Sequence, residues 1–192
     1  MPNDAVHLLQ GATFVTGNPG KLAEARRLCG VDLRAVEIDL PEIQSLDIRE
    51  ILRAKAAAAL QHLQRPVVVD ETALEMAALN GFPGVLIKWM LHSVGAEGVA
   101  LTAQSLDDTR ATARCGLLYF TGEQEVFAEG TTDGQLVLPP RGDGGFGWDP
   151  IFQPDDHHKT YAELSGPDKD HLSHRGLAWR HLAQLLGEIE SP

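Results

Sequence analysis

The spacing of apolar residues changes period repeatedly along this chain, and each change marks an element. The run Ala12-Thr-Phe-Val-Thr16 is apolar and β-branched, and it stops at Gly17-Asn-Pro-Gly20. Leu22, Ala25 and Cys29 then follow at helical spacing, so the segment reads as strand, turn and helix. Val36, Ile38 and Leu40 alternate with Glu37 and Asp39, which predicts a short strand ended by Pro41. Asp47 with Glu50 has the form of a capping box with Asp in the capping position. Behind it Ile48, Ile51, Leu52, Ala56, Ala59, Leu60 and Leu63 make one apolar helical stripe. Pro66-Val-Val-Val-Asp70 predicts a buried strand with an acid at its C-terminal end.

In the second half, Leu86 to Leu91 predicts a helix that Gly95 stops. Residues 111–120 and 124–130, joined by Thr121-Gly-Glu, predict a hairpin, and 134–138 a further strand. Residues 139–149, rich in Gly and Pro, read as a loop. A last helix runs through Leu172, Gly176, Trp179, Leu182, Ala183 and Leu186. No repeat, low-complexity tract or long linker divides the chain, so residues 1–192 form one domain. Strands alternating with helices around a central hairpin predict an α/β fold with a mixed sheet.

Composition narrows the function classes. The 192 residues carry 16 Lys and Arg against 27 Asp and Glu, a formal charge of −11. Affinity for polymeric nucleic acid comes mostly from Lys and Arg, so that partner is excluded, whereas a small phosphorylated ligand held by a few local cations is not. No apolar run approaches the roughly 18 residues that span a bilayer, so no membrane partner is expected. The start MPNDAVHLLQ lacks the pattern of a signal peptide. Cys29 and Cys115 form no CxxC pair. A soluble, reduced, cytoplasmic protein is the expectation.

Four constellations could carry chemistry. A glycine-containing turn ahead of a helix, Thr16-Gly-Asn-Pro-Gly-Lys21, exposes N–H groups that favour an anion. It lacks the GxxxxGK[ST] spacing, and an ordinary βα turn is the alternative. Lys55 lies on the apolar stripe, where an ammonium must either snorkel out or meet an anion. Glu42, Asp70 and Glu71 form a sparse acid set, in which adjacent carboxylates favour a divalent cation or a raised pKa in one of them. Mg²⁺, which takes one or two carboxylates plus phosphate oxygens, suits such a set; His157-His158 has no further ligand at zinc spacing. Finally, Gly145-Phe-Gly-Trp-Asp149 suits stacking on a planar base, with Lys169, His174 and Arg175 able to clamp phosphate or hydrogen-bond a purine. A surface turn and an amphipathic helix are the plain alternative there.

Taken in order, these segments resemble the inosine triphosphate pyrophosphatase family, the Ham1-like non-canonical purine nucleoside triphosphate pyrophosphatases. The resemblance runs from Thr16 to about Ala178 and rests on Thr16–Lys21, Leu40-Pro-Glu42, Val69-Asp-Glu-Thr-Ala-Leu74, Asn80-Gly-Phe-Pro-Gly84, Ile87-Lys-Trp89, Phe146-Gly-Trp-Asp-Pro150, Thr160-Tyr-Ala-Glu-Leu164 and Ser173-His-Arg175. It implies an elongated, two-lobed α/β fold with a long mixed sheet flanked by helices, an active-site cleft between the lobes, and a homodimer. It also implies Mg²⁺-dependent hydrolysis of ITP, dITP and XTP to the monophosphate and pyrophosphate, which clears deaminated purines from the nucleotide pool. Residue by residue, it assigns Thr16, Gly17, Asn18 and Lys21 to the triphosphate, Glu42 and Glu71 to the metal, and Glu71 also to activation of water. Lys55 faces phosphate, Thr72 lies beside it, and Lys88 is a further contact. Phe146, Gly147, Trp148 and Asp149 line the base pocket, which Lys169, Ser173, His174 and Arg175 approach.

The sequence departs from the family at the acid pair, usually Asp or Glu followed by Asp but here Asp70-Glu71, and at Thr72-Ala73 in place of Ser-Gly. Asp70 therefore shares the catalytic assignment with Glu71. Two other readings stay open on the residues: a catalytically weakened nucleotide-binding protein, and a Maf-like pyrophosphatase that prefers pyrimidine or modified nucleotides.

Overall fold

The computed structural model describes residues 3–189. The chain runs α1 (Asn3–Gly11), β1 (Thr13–Val15), α2 (Pro19–Cys29), β2 (Arg34–Val36), α3 (Ile48–Leu63) and β3 (Val67–Met76), then β4 (Pro83–Gly84) and α4 (Ile87–Ser105). The hairpin β5 (Arg110–Phe120) and β6 (Glu125–Leu136) leads to β7 (Phe152–Pro154), α5 (Gly166–Leu172) and α6 (His174–Ile189). One mixed sheet has the order β2-β1-β3-β5-β6-β7, with β4 on β3. Among the described residues only β1 pairs in parallel, with β2 and with β3; the other pairs are antiparallel. The expected α/β fold with a mixed sheet flanked by helices is what the chain adopts.

Strand alternation sends the two faces of β3 to different partners. Val67, Val69 and Ala73 pack under Ile48, Leu52 and Ala56 of α3. On the opposite face, Val68 joins a cluster with Phe14, Trp179 and Leu182, while Leu74 and Met76 join another with Ile87 and Phe152. Asp70 and Thr72 lie between those clusters, on the face they share.

Several local expectations are corrected. The acid pair does not end its strand: β3 continues to Met76, because the antiparallel partner β5 pairs with all ten of its residues. The alternation at Val36, Ile38 and Leu40 does not make a strand of its length; β2 is Arg34–Val36, and among the described residues no strand pairs with the chain beyond it. Gly95 does not stop α4 but kinks it, at φ 69°, a left-handed value open to glycine. Residues 134–136 continue β6 rather than starting a new strand. The last helix begins at His174, with Leu172 ending the separate α5. The capping box is half formed: Asp47 accepts from the N–H groups of Arg49 and Glu50, but the Glu50 carboxylate bonds the Ser45 hydroxyl.

Candidate active site

The site is a gap in the sheet. On one edge of β3, β1 pairs only as far as Val69 and β4 begins only at Leu74. Residues 70–73 therefore have a strand neighbour on the β5 side alone. Side chains from both faces reach this opening, and a cleft of about 780 Å³ occupies it. The C-terminal end of β1, the first turn of α2, α3, α4 and the 146–149 turn wall it in.

At the end of β1, Asn18 caps α2 by accepting from the Lys21 N–H at 3.1 Å, and donates its own N–H to Thr16 Oγ1. Thr16, Gly17, Asn18 and Lys21 all line the cleft. The turn is pressed against the aromatic loop. A Cβ on Gly20 would stand 2.5 Å from Phe146 Cδ1, so any larger residue would have to displace the Phe146 ring.

The two acids of β3 do different things because they face opposite ways. Asp70 is buried and meets Lys21 Nζ at 3.1 Å, with Arg175 Nε at 3.7 Å. Burial alone would raise its carboxyl, but Lys21, Arg175 and Lys55 hold it below the ordinary value. The raised pKa considered for this pair does not occur at Asp70. Glu71 faces α3, where Lys55 Nζ lies 3.4 Å from its Oε2, 3.7 Å from Glu42 Oε1, and donates to the Asp70 carbonyl at 3.2 Å. Lys55 does not snorkel. Burial would lower its ammonium, but Glu71, Asp70 and Glu42 raise it instead. Lys88, largely exposed, reaches Glu42 at 3.5 Å from α4. Thr72 lines the cleft on the Asp70 side.

The same cleft is lined by Phe146, Gly147, Trp148 and Asp149, with His174 and Arg175 from the start of α6. Trp148 is mostly buried, its ring tilted 31° to His174 at 6.1 Å, and its indole N–H has no partner among the described residues. His174 stacks on Tyr161 at 5.7 Å, and neither ring nitrogen has a partner among the described residues. Burial, then Arg175, Lys169 and Lys21, hold its pKa well below the ordinary value, so the ring is neutral.

Two assigned residues stand behind the wall instead of in it. Lys169 is buried, 2.8 Å from Glu24 Oε1 and 2.6 Å from Asp149 Oδ2, beneath the Phe146 ring. The Ser173 hydroxyl accepts from the Gly176 N–H and opens α6. Neither lines the cleft, because the carboxylates that satisfy Lys169 lie inward and the helix claims Ser173. Glu24 is the residue sequence reasoning missed. It joins Lys169 to Arg175, and those two cations hold its carboxyl below the ordinary value against the effect of burial. No periodicity marks it, since a Glu beside Ala25 in a polar helix reads as solvated.

Five carboxylates line the cleft, Glu37, Glu42, Asp70, Glu71 and Asp149, against four cationic side chains, Lys21, Lys55, Lys88 and Arg175. No group of three or more His, Cys, Asp or Glu among the described residues forms a closed metal cage. Glu42 and Glu71, converging on one ammonium from oxygen donors alone, do suit Mg²⁺, which completes its shell with water and phosphate.

An open sheet whose strand-end turn leads into a ligand-sized gap defines an α/β protein of the kind that binds small ligands at strand ends. Comparison with known proteins is more specific: the Ham1 family model matches residues 12–185, and the chain belongs to that family. The inosine triphosphate pyrophosphatase of Yarrowia lipolytica is 43% identical over 180 residues, covering 91% of this chain and 95% of that one. The dITP/XTP pyrophosphatase of Thermococcus kodakarensis is 36% identical over 178 residues, covering 91% and 96%. Among solved structures, a HAM1 protein from Coxiella burnetii superposes with TM-score 0.76 at 30% identity, over 92% of this chain and 99% of that one.

Proposed function

We propose that this chain is a nucleoside triphosphate pyrophosphatase that converts ITP, dITP and XTP, with water, to the monophosphate and pyrophosphate. The observation that carries the reading is the sheet gap, whose cleft brings the Thr16–Lys21 turn and Lys55 beside Glu71 together with the aromatic and hydrogen-bonding side chains of 146–149 and 174–175. The names of the relatives from Yarrowia and Thermococcus support the same reaction.

In this reading the turn N–H groups and Lys21 take the phosphate tail, and Lys55 and Lys88 offset its charge. Glu71 accepts a proton from the water that attacks phosphorus; the P–O–P bridge breaks and pyrophosphate leaves. Mg²⁺ would be held by Glu42 and Glu71, where it supplies charge neutralisation and Lewis acidity to the phosphate oxygens. The base enters beside Phe146 and Trp148. Arg175, which only donates, suits a 6-oxo group and is left unpaired by a 6-amino group, so adenine is rejected. The neutral His174, one nitrogen donating and one accepting, can read the same edge without competing as a cation. We further propose that the chain works as a cytoplasmic homodimer; no helix among the described residues is long and apolar enough to cross a membrane.

A substrate panel tests the reading. Pyrophosphate release should be fast with ITP, dITP and XTP, slow with ATP, and lost in EDTA. No release, or a preference for dTTP or UTP, overturns it.

A further inference from the structure

Among the carboxylates of the cleft, Glu37 is unlike the others. Glu42 meets Lys55 and Lys88, Asp70 meets Lys21, Glu71 meets Lys55, and Asp149 meets Lys169. Glu37 has no cationic or hydrogen-bonding partner among the described residues. It follows β2 directly, and the Thr16 N–H bonds the Val36 carbonyl at 3.0 Å, which fixes Glu37 beside the turn at the end of β1. The contact is close: a Cβ on Gly17 would stand 2.6 Å from Glu37 Oε1. An unpaired negative charge thus stands against the turn that, in the reading above, takes a polyphosphate.

Such a charge opposes phosphate binding, and the opposition grows with the ligand's charge. The ligand richest in charge per atom here is pyrophosphate, which must leave before the next turnover. Like charges about 6 Å apart in a water-like medium repel by roughly threefold in affinity for each pair, and a tail carries several charges partly offset by the metal. We propose that Glu37 sets the affinity of the Gly17 turn, keeping it low enough for pyrophosphate to leave; the proposal rests on the pyrophosphatase reading.

The test is inhibition of ITP turnover by magnesium pyrophosphate, followed as appearance of the monophosphate, in the full chain and in Glu37→Asp, Glu37→Gln and Glu37→Lys. The expected result is a Ki lowered about three- to tenfold in Glu37→Gln and further in Glu37→Lys, with Glu37→Asp unchanged. The differences should shrink as salt rises from about 0.05 M to about 0.5 M, since the residue is exposed and its field is screened. A structural role would not follow charge and salt in this way. An unchanged Ki in Glu37→Gln and Glu37→Lys overturns the proposal. So does a raised Ki, which would mean that Glu37 holds a cation shared with the phosphates. A raised KM for ITP with unchanged Ki overturns it as well, placing the residue at the sugar. Calorimetric titration of magnesium pyrophosphate into the protein needs no turnover. Absence of monophosphate formation therefore counts against the pyrophosphatase reading, and an unshifted calorimetric Kd in the variants counts against the role of Glu37.

Discussion

Lys55 Nζ lies 3.4 Å from Glu71 Oε2 and at the same time donates to the main-chain carbonyl of Asp70, so one ammonium ties a helix to both acids of the central strand. The carbonyl is free to accept because no strand covers that edge of β3. Lys55→Ala should lower kcat for ITP about 100-fold, and Glu71→Gln at least as much, since each removes a charge placed at the reacting phosphate. Circular dichroism should show both variants folded, and pyrophosphate release measures the loss; full activity in both would refute the mechanism.

Glu24 is the shared counter-ion of two buried cations. Glu24→Gln leaves the buried Lys169 and Arg175 short of negative charge, which costs about 3–5 kcal/mol of stability. The urea midpoint should fall accordingly, and a midpoint within error of the parent would show the network to be energetically idle.

Buried and neutral, His174 couples stability to pH. Its pKa in the folded chain lies below the ordinary 6.5, so below that pH the unfolded chain takes the proton and the folded one does not. Stability is full above about pH 6.5 and falls on acidification, by up to about 1.4 kcal/mol per pH unit for one proton. His174→Phe should flatten that part of the profile between pH 6.5 and 5. Asp70 and Glu24, both held below their ordinary values, add a second loss at lower pH, where the unfolded chain takes up protons first. Thermal melts across about pH 2 to 8 measure both phases.

Trp148 is packed among Ile151, Phe152 and Tyr161 while one side faces the cleft. Trp148→Ala should raise KM for ITP more than it lowers kcat, and should cost about 3–5 kcal/mol of stability as a large side chain leaves a core. Trp148→Phe should restore most of the stability and part of the KM. An unchanged KM in the Ala variant would remove Trp148 from the base pocket.

The parts of the fold legible in the sequence are those whose partners are local or periodic. The stripe of α3 placed Lys55 on an inward face, and the Gly-Asn-Pro-Gly turn marked the end of β1, because both signals depend on spacing within a few residues. The faces of Asp70 and Glu71 follow from strand alternation, but only once β3 is known to pass through them. That length is dictated by β5, whose paired residues lie 35 (Met76↔Ala111) to 53 (Val67↔Phe120) positions further along the chain. For the same reason residues 37–40 continue the alternation without a neighbour, among the described residues, to make them a strand. Glu24, Lys169 and Arg175 meet across 145 and 151 residues of chain, so nothing near Glu24 announces its burial. Gly95 was an ambiguous signal: Val99, Ala100 and Ala103 resume packing beyond it, and their burial carries the helix through the kink.

The ten consecutive pairs between β3 and β5 bear on how this protein can change over time. Side chains at the gap can be exchanged one by one with the backbone undisturbed. Inserting or deleting a single residue between Val67 and Asp70 would instead turn Asp70 toward α3 and Glu71 toward Arg175, reversing both environments at once. Divergence in length should therefore accumulate at the hairpin tip, Thr121 to Gln124, and in the 155–159 loop, which lie away from that ladder. The strand bearing the two acids should keep its residue count even where its letters drift.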